Sequence, residues 1–267
     1  MARPMRINKK LGTIVSLCII VIIIVICGLY INGMRYNKEG FQTEKPLKVA
    51  VLFSGRINGY EHLKDHLLNL QKTYNATFFA SINKKRITPY VQSFFTTFSM
   101  NSDQYIITQT SIPQYIHNCI RGSHHYRDST YPVLYQNSQV FKQLEKYQET
   151  HNVLFDTIVI YRADINPSEV LLLQKPSKYT LYIPEGKDFR GLNGHMAYGD
   201  FDTMKTYCSV VDSLEAYCEK NNIELNHEVM LNHHIKNTNL TVIRFKYNFE
   251  LHPSRHDTRA EYTEGDT

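Results

Sequence analysis

The sequence is poor in the residues that mark fibrous, disordered or disulfide-framed proteins. Its 267 residues include only 12 glycines, 9 prolines and 5 cysteines, and no tryptophan. Collagen-like and low-complexity chains need far more glycine and proline, and disulfide scaffolds need far more cysteine. With 42% hydrophobic and 21% charged residues, the composition is that of a globular protein.

The chain after its first ten residues also lacks a surplus of either charge. The formal net charge is +5, but Arg3, Arg6, Lys9 and Lys10 all precede the first apolar run. Setting these four aside leaves 26 of the 30 basic residues against 25 acidic ones. A nucleic-acid-binding domain carries a basic face, so we expect no nucleic-acid partner.

Several catalytic signatures are missing. The sequence contains no Walker-type P-loop, no G-x-G-x-x-G fingerprint and no G-x-S-x-G elbow. His62 and His66 have helical i,i+4 spacing, but the metalloprotease glutamate is absent between them. A zinc hydrolase or a serine hydrolase is therefore not indicated.

One long uncharged run extends from Leu11 to Met34. A bilayer core of ~30 Å needs about 20 helical residues, and in lipid a helix is favoured over an isolated strand. A cleaved signal peptide has a shorter apolar region of roughly 7–15 residues that ends in small residues, which residues 27–31 do not provide. We therefore predict a signal anchor that spans the lipid bilayer through residues 11–34.

The basic flank of this run sets its orientation. Basic residues favour the cytosolic side, so residues 1–10 form a cytosolic tail and the protein is a type II single-pass membrane protein. Residues 35–46 are a polar stem, residues 47–253 a single domain and residues 254–267 a flexible tail. The domain is expected in the lumen of the ER or Golgi, or outside a cell or viral membrane.

Strand-length apolar runs alternate with helical patterns along the domain. The predicted strands are Leu47–Phe53, Ala76–Ile82, Gln104–Thr108, Phe155–Tyr161, Tyr179–Ile183 and Leu240–Lys246, and the predicted helices include Gln139–His151, Asp202–Lys220 and Asn226–Lys236. This alternation predicts an α/β sandwich with a mainly parallel sheet. In such folds ligands bind at the carboxyl ends of the strands.

The cysteines and glycosylation sequons bear on the compartment. Cys208 and Cys218 lie on one predicted helix, about 15 Å apart by its rise, which is too far for a disulfide. Buried free thiols are favoured, and a bridge from Cys119 to one of them stays open. The sequons at Asn75 and Asn239 are compatible with a lumenal domain.

The first predicted strand runs into Ser54, Gly55 and Arg56. Glycine permits a tight turn and a close approach of the backbone, and arginine can bind phosphate with two hydrogen bonds. An ordinary turn with a surface arginine explains the same residues. The segment is therefore a candidate phosphate site rather than a diagnostic one.

The fourth strand ends in Arg162-Ala-Asp164. A hydrophobic strand that ends in carboxylates is how nucleotide-sugar glycosyltransferases hold Mn²⁺ or Mg²⁺ on the diphosphate. Here arginine replaces the first aspartate of a D-x-D motif. Asp164 is thus either a single metal ligand, or part of a metal-free site in which Arg162 carries the positive charge.

A polar, glycine-punctuated segment follows the fifth strand, between residues 182 and 200. Its Glu185 and His195 are candidate groups for an acceptor hydroxyl. His195 could act as a base or as a metal ligand. A hydrogen-bonded loop histidine is the plainer alternative.

Taken in order, these residues resemble a known family. The motifs are Ser54-Gly-Arg56, Phe78-Phe-Ala-Ser-Ile-Asn83, Phe155 to Asp164, Tyr182-Ile-Pro-Glu185, Asn193 to Gly199, and Leu240 to Phe245. Their order and spacing resemble a family of glycosyltransferases of GT-A-like, Rossmann-type fold encoded by giant DNA viruses, algae and other protists. The resemblance covers about Lys48 to His252 and excludes the membrane anchor.

The resemblance implies roles for these residues. Ser54, Gly55 and Arg56 would border the nucleotide of a nucleotide-sugar donor, and Arg162 and Asp164 would lie at the diphosphate and the Mn²⁺ or Mg²⁺ ion. The family pattern has Asn-Asp-Gln where this chain has Asn-Gly-His at residues 193–195. His195 has then either replaced the missing aspartate, or the activity is altered or lost.

The sequence therefore predicts a type II membrane glycosyltransferase that acts on a glycan or glycoprotein acceptor, with His195 or Glu185 facing the acceptor hydroxyl. The alternative is a catalytically silent, membrane-anchored relative that binds a glycan or a partner protein. A lumenal sulfotransferase shares the topology, but it needs a phosphosulfate loop that residues 54–56 match poorly.

Overall fold

The computed structural model describes residues 46–55, 57, 60–119, 124–220 and 223–251. The predicted transmembrane segment, residues 11–34, lies outside these ranges, as do both predicted tails and almost all of the stem. Within the described ranges, no helix combines the length and the apolar character needed to cross a membrane.

The described chain is built around one seven-stranded sheet. Its strands are β1 (Val49–Ser54), β2 (Thr77–Asn83), β3 (Tyr105–Thr108), β4 (Thr157–Tyr161), β6 (Thr180–Pro184), β7 (Met196–Gly199) and β8 (Thr241–Phe245), in the order β3-β2-β1-β4-β7-β6-β8. Only β7 is antiparallel to its neighbours. The α/β class and the mainly parallel sheet are confirmed.

A second, two-stranded sheet joins the segment just after β4 to the end of the described chain. It pairs β5 (Ile165–Pro167) with β9 (Phe249–Leu251) in antiparallel fashion. Neither short strand was predicted, because three residues carry no readable alternation. This pairing ties the segment that follows Asp164 to the end of the described chain.

The predicted helices occur in the described chain, though not always with the predicted length, and two short helices, Pro89–Thr97 and Gln114–Asn118, were not predicted. They are α1 (Lys64–Tyr74), α2 (Pro89–Thr97), α3 (Gln114–Asn118), α4 (His124–His151), α5 (Phe201–Cys208), α6 (Leu214–Lys220) and α7 (His227–Lys236). Helix α4 starts well before Gln139 and contains Pro132. The predicted continuous helix Asp202–Lys220 is wrong, because a 3₁₀ segment, Ser209–Ser213, separates α5 from α6.

Both faces of the sheet are covered, as the apolar runs require. All residues from Val49 to Phe53 are fully buried. Alternate residues of β1 and β4 contribute to two cores, of which one contains residues of α1 and α2 and the other residues of α4 to α7. The described chain is therefore a three-layer sandwich with the sheet in the middle.

The segment predicted as a polar loop between residues 182 and 200 contains a central strand. Met196–Gly199 form β7, and all four residues are buried between β4 and β6. A four-residue strand that follows a polar stretch gives little periodic signal. The loop itself is therefore shorter and connects the end of β6 to the start of β7.

The cysteine prediction requires a correction. Cys119 and Cys218 form a disulfide with a Cα–Cα distance of 4.6 Å, and Cys208 is a buried free thiol. The favoured assignment of free thiols is thus wrong for two cysteines, and the alternative bridge from Cys119 is confirmed. The disulfide joins the residue after α3 to α6.

Candidate functional site

The predicted site residues lie at one edge of the sheet. Strands β1, β4 and β6 are parallel, so their carboxyl ends meet at the same edge, and the antiparallel β7 begins there. The order of the strands reverses between β1 and β4, and such a switch point is where open α/β sheets bind ligands. Arg56, predicted to border the nucleotide, lies outside the described residues.

Four of the predicted residues form a row along this edge, which we call the edge row: Ser54, Arg162, His195 and Glu185. The paired strands place Phe53 beside Tyr161, and Tyr161 beside Met196. Continued by one residue, this register sets Ser54 beside Arg162 and Arg162 beside His195. The pairing of Tyr182 with Tyr198, continued to the end of β6, sets Glu185 beside His195. Neighbouring strands are about 4.8 Å apart, and the Arg162 amide donates to the His195 carbonyl at 3.0 Å.

Gly55 follows β1 in a conformation that suits glycine. Its φ is +85°, a left-handed value that side chains with a Cβ rarely adopt. Its amide donates to the Ser81 carbonyl at 3.0 Å, and among the described residues other than its chain neighbours, no atom lies within 4 Å of the place where a Cβ would stand. The hydrogen bond to Ser81 therefore fixes the backbone of the turn, and the space beside Gly55 allows a ligand to approach the backbone closely.

The carboxyl ends of β1 to β3 are anchored by amide side chains of α4. Ser54 donates to the Asn137 side chain, and Ser81 donates to the Gln136 side chain. The Gln136 amide in turn donates to Thr108 at 2.6 Å. Gln136 and Asn137 are buried, so α4 fixes the strand ends with hydrogen bonds rather than with apolar packing alone.

Arg162 and Asp164 form a two-point ion pair. The Arg162 Nε donates to Asp164 Oδ1 at 2.9 Å and its Nη2 donates to Asp164 Oδ2 at 2.5 Å. The two side chains are only 20% and 17% exposed. Burial disfavours the charged guanidinium, but the charge and hydrogen bond of Asp164, together with the charge of Glu228, outweigh it, so that the pKa of Arg162 is raised.

This pair bears on the metal prediction. Both Asp164 oxygens accept hydrogen bonds from Arg162, which leaves the carboxylate committed to a cation of the chain itself. Within the described ranges, no three His, Cys, Asp or Glu side chains are grouped as ligands of a metal ion. The residues around Asp164 thus fit Arg162 as the positive charge better than they fit Mn²⁺ or Mg²⁺.

The start of α7 packs against the loop that precedes β7. Asn226 caps this helix by accepting from the Val229 amide at 3.0 Å. A Cβ on Gly194 would lie 2.4 Å from the His227 ring, so residue 194 is a glycine for steric reasons. Burial, and next the charge of Arg162, lower the pKa of His227 to about 3.

His195 is 1% exposed and is held by Asn193. The Asn193 Oδ1 accepts from the His195 amide at 2.9 Å and lies 3.0 Å from its Nδ1. Because the Asn193 Nδ2 donates to the Gly186 carbonyl, Oδ1 is the acceptor and Nδ1 carries the hydrogen. The Phe189 and Phe249 rings lie 5.8 and 5.7 Å from the imidazole.

The loop between β6 and β7 has an uncommon backbone. Gly186, Lys187, Phe189 and Arg190 all have positive φ, from 42° to 76°. Such residues are strained unless they are glycine, and they persist where surrounding contacts fix them. Functional sites are enriched in strain of this kind.

Two ion pairs fix this loop. Arg244 on β8 donates to Asp188 at 2.7 Å, and Arg190 donates to Glu224 at 2.8 Å. Asp188 also accepts from the Asn193 amide at 3.0 Å. The loop is therefore held from β8, from the segment before α7 and from within.

Glu185 differs from His195 in its exposure. It follows β6 directly, and its amide donates to the Phe245 carbonyl at 2.9 Å, but its side chain is exposed. Of the two predicted acceptor-facing residues, only Glu185 presents its functional group to solvent.

A second polar chain lies behind the strand ends. Tyr161 and Tyr247 share a hydrogen bond of 2.7 Å, and the Tyr247 hydroxyl lies 3.2 Å from the His66 Nε2. Burial lowers the pKa of His66 to about 4. These hydrogen bonds connect the last residue of β4 to α1 and to the segment between β8 and β9.

Sequence reasoning missed the residues that hold the loop. Asp188 and Asn193 sit in the predicted loop, but nothing in their spacing shows that they pair with Arg244 and His195. His227 lies in the predicted helix Asn226–Lys236 but was not among the predicted site residues. Its place at the first position after an Asn cap was the available signal.

Comparison with known proteins adds one finding. A family model described as a domain of unknown function (DUF7796) matches residues 137–259, a little under half of the chain. The match includes Arg162, Asp164, Glu185 and His195 but not β1 to β3. No curated protein matches the chain.

Proposed function

We propose that this protein is a nucleotide-sugar-dependent glycosyltransferase of GT-A-like fold, anchored as a type II membrane protein through residues 11–34, that glycosylates a glycan or glycoprotein in the lumen or outside the membrane. The observation that carries the proposal is the edge row. Residues selected from the sequence for donor and acceptor chemistry occupy adjacent strand ends at the switch point of the sheet.

The donor diphosphate binds between Gly55 and Arg162 in this proposal. Departure of a nucleoside diphosphate leaves negative charge on its phosphate oxygens, which a positioned cation stabilises. Arg162 is always charged, and Asp164 aligns its guanidinium through two hydrogen bonds. Asp164 is then a positioning residue, and the predicted Mn²⁺ or Mg²⁺ is not needed for binding.

The acceptor approaches from the side of Glu185. Its exposed carboxylate takes the proton of the acceptor hydroxyl while the oxygen bonds to the anomeric carbon and the bond from that carbon to the diphosphate breaks. His195 is buried and tied to Asn193. We assign it to the wall of the site, where it fixes the loop beside Arg162.

Two observations outside the site support the lumenal placement. The domain contains the disulfide Cys119–Cys218, and disulfides form and persist mainly in oxidising compartments. The sequon asparagines Asn75 and Asn239 are exposed.

A specific observation favours the second candidate, a silent glycan- or partner-binding relative. Asp164 is engaged by Arg162, and the family aspartate is replaced by Gly194. A chain that binds a nucleotide without turnover would show these same features.

The test is nucleotide binding by the full-length protein in detergent. Equilibrium dialysis against labelled UDP, GDP and CMP, with Mn²⁺ or with EDTA, should identify one nucleotide whose affinity EDTA does not change. Arg162→Ala should weaken binding at least tenfold and Arg162→Lys partly, because lysine cannot bind in two-point fashion. Asp202→Asn, an exposed carboxylate of α5, is the matched control and should bind normally.

Turnover separates the two candidates. Release of the nucleoside diphosphate from its sugar donor should fall about 10²-fold or more in Glu185→Gln, with unchanged nucleotide affinity. Binding without turnover in the wild type would establish the silent relative. Absence of binding would refute the donor site, and Mn²⁺-dependent binding that Asp164→Asn abolishes would refute the role given to Arg162.

A further inference from the structure

Two asparagines carry the chemistry of a covalent modification. The chain has the triplets Asn75-Ala-Thr77 and Asn239-Leu-Thr241, and N-x-[ST] with x other than proline is the acceptor sequence for N-linked glycans. We propose that Asn75 and Asn239 are both N-glycosylated. This rests on the lumenal placement that forms part of the proposed function, but not on catalytic activity.

The reaction needs an accessible amide. The side-chain nitrogen forms a bond to the first sugar carbon and loses a proton, and the bond from that carbon to a lipid diphosphate breaks. A lipid-linked oligosaccharide of the secretory pathway is the co-reactant. The acceptor side chain must therefore lie at the surface, outside regular secondary structure.

Asn75 meets this requirement. It is exposed and follows the last residue of α1 with φ 49° and ψ 43°. Asparagine tolerates this left-handed conformation better than most residues. Thr77, the hydroxyl residue of the triplet, is the first residue of β2 and is partly buried.

Asn239 meets the same requirement at the other side of the sheet. It is exposed in the turn between α7 and β8, and Thr241 at the start of β8 is exposed as well. The Thr241 amide donates to the Tyr179 carbonyl at 2.9 Å. The backbone of this triplet is thus fixed, while the side chains of Asn239 and Thr241 remain at the surface.

Both asparagines precede parallel strands, so they lie at the amino edge of the sheet. The edge row lies at the opposite, carboxyl edge. Strands β2 and β8 are separated by β1, β4, β7 and β6, which places the two sequons about 24 Å apart at ~4.8 Å per strand. The two glycans would therefore be attached far apart along the amino edge, on the side of the sheet opposite the edge row.

The chain contains its own negative control. Asn166-Pro167-Ser168 has the spacing of a sequon, and Asn166 is exposed, but proline at the middle position prevents modification. Exposure together with the N-x-[ST] spacing therefore predicts three modified asparagines, whereas the additional exclusion of proline predicts two.

The experiment expresses the full-length chain in a eukaryotic cell and treats it with an amidase that removes N-glycans. The wild type should lose two mobility steps on a gel. Asn75→Asp and Asn239→Gln should each lose one step and the double variant none, while Asn166→Gln should behave as the wild type. Aspartate is used at residue 75 because it also tolerates the left-handed backbone.

Two readouts keep the outcomes distinct. An Asn-Gly-Thr tag appended after Thr267 reports whether the carboxyl terminus reaches the lumen, and a non-reducing gel reports whether each variant forms the Cys119–Cys218 disulfide and hence folds. A modified tag with unmodified Asn75 and Asn239 would overturn this inference and leave the lumenal placement intact. An unmodified tag with unmodified asparagines would overturn both.

Discussion

Loss of the disulfide should remove a large share of the stability of the domain. Cys119 and Cys218 are 4% and 5% exposed and are separated by 99 residues. The bridge closes a loop that contains β4 to β7, so it restricts much of the unfolded chain. The double variant Cys119→Ala and Cys218→Ala tests this constraint directly.

The expected magnitude follows from the length of the closed loop. In the chain-entropy description, a loop of roughly 100 residues contributes about 4.7 kcal/mol to the free energy of unfolding at 25 °C. Whole domains are stable by only about 5–15 kcal/mol. The double variant should therefore be close to its folding limit at physiological temperature.

Urea unfolding of the full-length protein, followed by far-ultraviolet circular dichroism, measures the effect. The oxidised wild type should unfold at a much higher urea concentration than the double variant. Dithiothreitol should destabilise the wild type by a similar amount and leave the double variant unchanged. Cys208→Ala, at the free thiol, should retain the response to dithiothreitol.

A difference below about 1 kcal/mol between the oxidised wild type and the double variant would refute the reasoning, since it would mean that the unfolded chain is already restricted without the bridge. Equal sensitivity of the double variant to dithiothreitol would point to another target of reduction.

Three further predictions concern buried histidines, a turn and a hydroxyl. The folded pKa values of about 4 for His66 and about 3 for His227 lie below the ordinary 6.5. The stability that depends on their neutral forms is therefore complete above pH 6.5 and is lost as the pH falls towards 3. Urea unfolding should show a free energy of unfolding that is several kcal/mol lower at pH 4.5 than at pH 7.5, and equal stability at the two pH values would contradict this prediction. Gly55→Ala should cost about 1 kcal/mol, because φ is +85° and a Cβ disfavours that region; an unchanged thermal midpoint would argue against the left-handed turn. Tyr247→Phe should cost about 1–3 kcal/mol in urea unfolding, because it removes the hydroxyl between Tyr161 and His66, and a neutral result would exclude that link.

The sheet was largely predictable, because its strands are apolar runs with clear ends. All six predicted strands occur within two residues of their expected bounds. The central strand β7 was not predicted. It has four residues and follows a polar loop, so no local sequence pattern marks it as a buried strand, and its burial comes from tertiary contacts. Tyr198 of β7 stacks on Tyr182 of β6 with ring centroids 4.5 Å apart, a contact that spacing alone does not reveal.

The position of the candidate residues at one edge of the sheet was predictable, but the contacts of their side chains were not. Parallel topology alone brings Ser54, Arg162 and Glu185 to one edge. Spacing could not show that Arg162 occupies both oxygens of Asp164, or that His195 is buried. Those relations depend on side-chain direction and on α7, which the sequence places only as a separate helix.

The reversal of β7 has a consequence for how this edge can vary. In an all-parallel sheet, the connection after β6 would have to return to the far edge before the next strand begins. Here β7 starts at the edge where β6 ends, so residues 185–195 leave and re-enter the sheet on the same side. Insertions, deletions or exchanges in this connection can therefore reshape the surface beside Arg162 while the register of β4, β7 and β6 stays as it is.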